Sequence, residues 1–160
     1  MARLWSCGFE LQTITVGMEW ATGTNGTPVI DTSVKRSGAA ALRINNTGAA
    51  ENIIHQFRST QGPCWMRVYI NTTVAPSTDR IFINVMNSSN AKISVRMRSG
   101  ANARKLQLWN DEDSLQLGSD SEVLTAGAWY RIEIFCDDTT LSSTSVEARL
   151  YSATAEDSLM

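Results

Sequence analysis

Apolar side chains alternate with polar ones along most of this chain, and no window shows the sustained spacing of an amphipathic helix. Period-two alternation is typical of strands that bury one face. Shorter and less regular strands are also expected. The clear runs are Trp5–Leu11, Cys64–Ile70, Ile81–Val85, Ile93–Met97, Leu106–Leu108, Tyr130–Cys136 and Val146–Leu150, and the shorter ones are Val29–Ile30, Ala41–Asn45 and Asn52–Phe57. The sequence therefore predicts an all-β protein.

Short polar links separate several of these strands. Asn87–Asn90, Gly100–Ala103 and Asn110–Asp113 each join two alternating runs and are rich in turn-forming residues. Closely spaced strands joined in this way favour antiparallel sheets that form a sandwich or a barrel. The least regular segment, Leu11–Pro28, is expected to form a long loop around Trp20. The 160 residues contain no repeat or linker, so we expect a single domain over residues 1–160.

Composition narrows the class of partner. A net charge of −2 gives no electrostatic reason to expect nucleic acid or an anionic membrane. No secretory signal or membrane-spanning segment is evident, so we expect the protein to be made in a cytoplasm. Cys7, Cys64 and Cys136 are dispersed and fall on the inferred inward faces, which favours buried free thiols over a disulfide framework or a zinc site. We expect no metal and no other cofactor.

Five motifs carry a resemblance to a known group of domains. They are an opening strand with Gly8–Glu10, a loop with Trp20, the strand Ser37–Ile44, the short strand Leu106–Trp109 and the strand Gly127–Glu133. In this order and spacing the chain resembles the concanavalin A-like, or laminin-G-like, jelly-roll domains, particularly those of bacteriophage structural proteins. The resemblance covers nearly the whole chain. It implies an antiparallel two-sheet jelly-roll β-sandwich and a role as a tail, fibre or capsid-decorating component.

The end of the chain departs from that pattern. Jelly rolls of this kind usually finish with a strand that returns beside the first one, whereas no apolar run follows Val146–Leu150. Either the sequence is truncated, or the sheet edge beside Leu4–Leu11 is completed by something else. An open edge exposes unpaired backbone groups that another chain can bind. We therefore expect a neighbouring subunit at this edge.

Aromatic and basic side chains recur on the outward sides of the predicted strands. If these strands share a sheet, their side chains form one face. Three interpretations stay open: a protein–protein contact, in which Trp, Tyr and Arg are enriched, a face covered by the Leu11–Pro28 loop, and a glycan-binding surface. The residues are Trp65, Arg67, Tyr69, Arg96, Arg98, Lys105, Gln107, Trp109 and Arg131, with Glu133 beside the last.

No motif supports a catalytic or metal site. The paired carboxylates of jelly-roll glucanases, spaced Glu-x-Asp-x-x-Glu on one strand, do not occur. His55 and Gln56 faintly resemble a polysaccharide lyase site, but alternation puts them on opposite faces. Calcium prefers oxygen-rich loops of defined spacing, which these carboxylates lack. The carboxylates concerned are Asp111, Asp113, Asp120, Asp137 and Asp138.

We therefore expect a non-enzymatic virion structural protein, a capsid-decorating, tail or fibre component that acts through subunit contacts. Its expected partners are other virion proteins and copies of itself, with no contact to nucleic acid or membrane. The alternative is a glycan-binding, lectin-like adhesin module that recognises a host-surface polysaccharide. Loss of glycan binding after Trp65→Ala or Trp109→Ala would favour that alternative.

Overall fold

The computed structural model describes residues 23–25, 28–44, 52–54, 63–87, 90–136 and 146–152. Within these ranges every strand pair is antiparallel, and the only helical turn is a 3-10 turn at Gly100–Asn102. The prediction of an all-β protein is confirmed. The chain divides into two compact units, Met1–Gln61 and Gly62–Met160, which are described one at a time. That residues 1–160 form a single domain stays a prediction.

Two short strand pairs are described in the first unit. Strand β1 (Gly23–Asn25) pairs with β4 (Asn52–Ile54), and β2 (Val29–Asp31) pairs with β3 (Ala41–Arg43). The three short strands predicted here are confirmed within the described residues. Strand β1 falls inside the segment 11–28, where a loop was expected, so that expectation is wrong at these three residues.

Asp31 organises the turn that follows β2. Its Oδ1 accepts hydrogen bonds from the Ser33 hydroxyl (2.6 Å), the Ser33 N–H (2.8 Å) and the Val34 N–H (3.0 Å). Its Oδ2 lies 3.3 Å from the Arg43 guanidinium on the paired strand. The Ser33 hydroxyl, then the two N–H groups and finally Arg43, hold the pKa of Asp31 at about 2. One carboxylate thus fixes both the turn and the strand pair.

The second unit contains two larger sheets. The three-stranded sheet has the order β11-β10-β5 and the four-stranded sheet the order β6-β7-β8-β9. The strand bounds are β5 Cys64–Asn71, β6 Arg80–Asn87, β7 Asn90–Met97, β8 Leu106–Asn110, β9 Leu115–Leu117, β10 Trp129–Cys136 and β11 Val146–Ser152. Polar turns join β7 to β8 and β8 to β9, as the sequence predicted, and Ser88 and Ser89 between β6 and β7 lie outside the described residues.

The hydrophobic core of this unit takes side chains from both sheets. The three-stranded sheet contributes Ile70 and the inward residues of β10, and the four-stranded sheet contributes Val95, Met97 and Leu106. Leu124, in the segment between β9 and β10, completes the cluster. Apolar faces of two antiparallel sheets that share one core are compatible with a β-sandwich. Each sheet therefore has an inner face on this core and an outer face on its other side.

The predicted inward residues are buried in most of these strands, but Val68, Ile81 and Ala148 are exposed. Ile93, Val95, Met97, Tyr130, Ile132, Ile134 and Cys136 are all buried. Ile81 was expected to share a face with Ile83, but a register shift between them places Ile81 opposite Arg96 and leaves it 51% exposed. A β-bulge inserts one extra residue and reverses the alternation. The Trp5–Leu11 strand, Cys7 and the open edge expected beside Leu4–Leu11 lie outside the described residues.

The turn before β10 shows why its motif begins with glycine. Gly127 has a φ of 76°, in the left-handed region that side chains other than glycine rarely adopt. Its N–H donates to Thr72 O (2.8 Å), and its carbonyl accepts from the Asn71 side chain (2.8 Å). These bonds tie the start of β10 to the end of β5 and so help to set the register of the three-stranded sheet.

Candidate interaction faces

The structure distributes the predicted interaction residues over two sheets. Trp65, Arg67 and Tyr69 on β5 stand opposite Phe135, Glu133 and Arg131 on β10, all on the outer face of the three-stranded sheet. The other candidates belong to the four-stranded sheet. Arg96 on β7 stands opposite Gln107 on β8, Trp109 stands opposite Ser94, and Arg98 follows the end of β7. A single face was expected only if all these strands shared one sheet. They belong to two sheets, so the residues form two faces.

Glu133 lies at the centre of the first face. Its Oε1 accepts a hydrogen bond from Arg67 Nε at 2.7 Å and lies 3.5 Å from Arg131 Nε. Arg131 and Glu133 are each only 12% exposed. Burial alone would lower the pKa of Arg131, but a hydrogen bond with Tyr69 and the charge of Glu133 outweigh it, so that this pKa is raised. Arg131 therefore stays charged inside the face and holds neighbouring strands together.

Strand β11 adds three side chains that the sequence analysis did not select. Its register with β10 places Glu147, Arg149 and Tyr151 on the same outer face. The Arg149 guanidinium lies over the Trp65 ring at 4.7 Å, and that of Arg131 lies over the Tyr151 ring at 4.0 Å. These three residues alternate in sequence with Val146, Ala148 and Leu150, and this alternation is the signal that predicts their place on the outer face. We call this set the arginine–aromatic face: Trp65, Arg67, Tyr69, Arg131, Glu133, Phe135, Glu147, Arg149 and Tyr151.

Ring contacts and ion pairs run across the arginine–aromatic face without a gap. The Trp65 and Phe135 rings have centroids 5.2 Å apart and are tilted by 43°, a favourable arrangement for two aromatic rings. Arg149 also donates to Glu147 Oε1 at 2.5 Å. That bond, and secondarily the charge of Arg149, lowers the pKa of Glu147. Trp65, Tyr69 and Phe135 are partly exposed on this face, whereas Tyr151 is buried against the Arg131 guanidinium.

The outer face of the four-stranded sheet also contains an arginine that lies over an aromatic ring. The Arg96 guanidinium lies over the Trp109 ring at 4.4 Å, donates to Ser94 Oγ at 3.1 Å and forms an ion pair with Asp111. Because arginine covers one face of the indole, that face is not open to a ligand. Trp109 on the four-stranded sheet and Trp65 on the three-stranded sheet are therefore each covered by an arginine guanidinium.

Gln107 is a structural residue rather than a contact residue. It is 2% exposed, and its amide donates to Gln116 Oε1 (2.7 Å) and to Asp120 Oδ1 (3.0 Å). Gln116 donates to the same Asp120 oxygen at 3.0 Å. The network joins β8 and β9 to the loop that follows. Its burial removes Gln107 from the set of side chains that can reach a partner.

A cleft of about 430 Å³ lies between the β8–β9 edge of one sheet and β11 of the other. Its walls are apolar where Leu108, Ile132 and Leu150 contribute, and its lining also includes the carboxylates Asp120 and Glu147. Glycoside hydrolysis needs one carboxyl group with a raised pKa to act as the acid. Glu147 has a lowered pKa, and both carboxylates accept hydrogen bonds from side-chain nitrogens. This chemistry does not favour an acid–base pair.

Comparisons of the chain with protein-family models, with curated proteins and with solved structures find no match. Within the described residues, no group of three or more His, Cys, Asp or Glu side chains is arranged to hold a metal ion. No helix in the same part of the chain has the length and apolar character needed to span a membrane.

Proposed function

We propose that this chain is a non-enzymatic structural protein of a virion, a capsid-decorating, tail or fibre component that acts through contacts with neighbouring subunits. The jelly-roll topology and the virion setting rest on the resemblance of the sequence motifs. The subunit contacts are supported by the arginine–aromatic face. Tyr, Trp and Arg are the residues most enriched at the centres of protein interfaces, and here Trp65, Tyr69 and Arg67 keep exposed surface on the outer side of the three-stranded sheet.

The observation that carries the proposal is the covering of aromatic rings by guanidinium groups on both sheets. Sugars bind by stacking on an open ring face, but Arg149 lies over Trp65 and Arg96 lies over Trp109. A ring that is already paired with a cation favours a flat, pre-organised protein contact over a sugar platform. A pre-organised surface loses less side-chain entropy on binding, which benefits association.

The direct test is whether the chain enters particles. Virus particles purified from the culture that encodes this sequence would be analysed by quantitative mass spectrometry. We expect the chain at a fixed copy number relative to the other particle proteins. A chain that is found only outside particles, or that binds or cleaves a polysaccharide on a glycan array, would overturn the proposal.

A variant pair then tests the face itself. Arg67 is 59% exposed on the arginine–aromatic face, whereas Lys35 is exposed in the first unit. We expect Arg67→Glu to reduce incorporation into particles strongly, because it places a carboxylate beside Glu133. Lys35→Glu makes the same change of charge at a residue of the first unit and is expected to leave incorporation unchanged. Equal incorporation of both variants would show that this face makes no contact.

A further inference from the structure

The two ends of the four-stranded sheet carry opposite charge. At one end, the turn Arg98–Lys105 between β7 and β8 contains three basic residues, and Arg80 begins β6 beside it. At the other end, the turn Asp111–Asp113 between β8 and β9 contains three consecutive carboxylates. We call these the basic turn and the acidic turn. Neither belongs to the arginine–aromatic face.

The basic turn is held in a defined shape. Arg98 N–H donates to Lys105 O (2.8 Å), and Arg104 N–H donates to Arg98 O (3.2 Å). Asp79 accepts from the Ser99 hydroxyl (2.7 Å) and N–H (2.8 Å), which lowers the pKa of Asp79, and it lies 3.2 Å from Arg98. Glu122 lies two residues before Leu124, whose N–H donates to Arg104 O. Four cations therefore stand against the two carboxylates Asp79 and Glu122, and this end of the sheet keeps a positive excess.

The backbone of the basic turn is strained at a cation. Arg104 has a φ of 63°, a conformation that costs free energy for a residue other than glycine. Its Nε is buried without a hydrogen-bond partner. Backbone strain of this kind is concentrated at functional sites.

The acidic turn is equally well braced. Asn110 Oδ1 accepts from the Glu112 and Asp113 N–H groups at 3.0 and 3.2 Å, and the Asn110 amide donates to Asp113 at 2.8 Å. Arg96 pairs with Asp111, which is nine-tenths buried and whose Oδ2 has no hydrogen-bond partner. Glu112 and Asp113 are exposed at the tip. Lys92, the other basic residue of β7, lies towards this end of the sheet.

We propose that the partner of these turns is a second copy of this chain, which docks its acidic turn on the basic turn of the first. This inference rests on the proposed function and names one of its subunit contacts. Strand β8 has five residues at about 3.4 Å each, so the turns of one copy lie roughly 17 Å apart along the sheet and cannot pair with each other. A contact between two different surfaces is heterologous and builds a ring or a filament.

Charge favours a second copy over a nucleic acid. The chain carries a net charge of −2, so it offers a polyanion no long-range attraction. The acidic turn, whose three carboxylates stand against Arg96 and Lys92 of β7, supplies a short anionic segment. Charge pairs that are exposed at a contact act mainly through steering and selection of the partner, and salt weakens them. Self-association should therefore depend strongly on salt.

Sedimentation of the purified chain at about 0.01 M and about 1 M salt, where charges are screened over roughly 30 Å and 3 Å, tests this dependence. We expect oligomers at low salt and monomers at high salt. Lys105→Glu and Glu112→Lys are each expected to weaken association about tenfold or more. Lys35→Glu is the matched control for the first variant and should leave association unchanged. Circular dichroism would confirm that each variant is folded.

A mixture of the two variants gives the sharpest result. The Lys105→Glu chain keeps an acidic turn and the Glu112→Lys chain keeps its basic turn, so these two intact turns can pair across the two chains. An equimolar mixture should therefore associate at low salt, where each variant alone does not. A wild-type chain that is monomeric at low salt, or a mixture that stays monomeric, would overturn the inference.

Failure of this inference is distinguishable from failure of the proposed function. A chain that enters particles but never self-associates would keep the proposed function and lose the turn-to-turn contact. A chain that self-associates through the two turns but is absent from particles would keep the contact and lose the virion role.

Discussion

The two faces of β10 are buried to a similar degree by different chemistry. On the inner face Ile132 and Ile134 are almost completely buried in the hydrophobic core. On the outer face Arg131 and Glu133 are largely buried too, but among guanidinium groups, carboxylates and rings. The inner face gains free energy from removing apolar surface from water. On the outer face, the ion pairs and hydrogen bonds must first offset the free energy that the charged groups lose on leaving water. This face therefore contributes more to the specific pairing of strands than to the free energy of unfolding.

The largest expected effect comes from the inner face. Ile132→Ala removes three carbon atoms from a side chain that is 2% exposed in the core. The lost burial and the remaining cavity should lower the free energy of unfolding by about 2–5 kcal/mol. Urea denaturation followed by circular dichroism measures this loss. A change below about 1 kcal/mol would mean that the two sheets do not share the core described above.

The next effect tests the outer face of the same strand. Glu133→Gln keeps the shape of the side chain but removes the charge that Arg67 and Arg131 share, and should cost about 2 kcal/mol of unfolding free energy. Glu147→Gln is the matched control, because Glu147 also accepts a hydrogen bond from an arginine on this face but is about half exposed. We expect little change in the control. If both variants lost the same free energy of unfolding, the largely buried ion pairs of Glu133 would contribute no more to stability than the exposed ion pair of Glu147.

The sequence predicts the faces of a strand well and the neighbours of a strand poorly. In β10 the alternation from Tyr130 to Cys136 is unbroken, and every predicted inward residue is buried. In β6 a bulge reverses the pattern, so Ile81 is exposed although its apolar character predicts burial. A bulge depends on the pairing of two strands, and one strand alone carries no clear signal of it.

Membership of a sheet is harder to predict because it depends on contacts that are distant in sequence. The bond between Arg67 and Glu133 joins residues 66 positions apart, and no local pattern selects that pairing. The sequence alone could therefore not show that the candidate residues belong to two sheets, or that Glu147, Arg149 and Tyr151 share a face with some of them. The buried role of Gln107 was missed for the same reason, since Asp120 approaches it only in the folded chain.

A smaller effect is expected at the edge of the core. The hydroxyl oxygen of Tyr130, a buried residue, accepts a hydrogen bond from the Thr125 N–H at 2.8 Å. Tyr130→Phe keeps the ring in the core and removes only this acceptor, which should cost about 1 kcal/mol in thermal or urea unfolding. Thr125→Ala retains the N–H and serves as the control, for which we expect no comparable loss. A neutral Tyr130→Phe variant would show that water replaces the hydroxyl without cost.

The smallest effect separates the outer and inner faces of the three-stranded sheet by their response to pH. The hydrogen bond from Arg149 lowers the pKa of Glu147 below its ordinary value of 4.5. The ionised form is therefore favoured in the folded chain, and the stabilisation is present above pH 4.5 and lost as pH falls through the lowered pKa. Asp31 loses its own contribution between its ordinary pKa of 3.8 and about 2, so the useful quantity is the difference between wild type and Glu147→Gln. This small difference should shrink as pH falls below 4.5, whereas the loss from Ile132→Ala should not depend on the charge of Glu147. An NMR titration of the Glu147 carboxyl carbon fixes the midpoint, and a midpoint above 4.5 would contradict the ion pair.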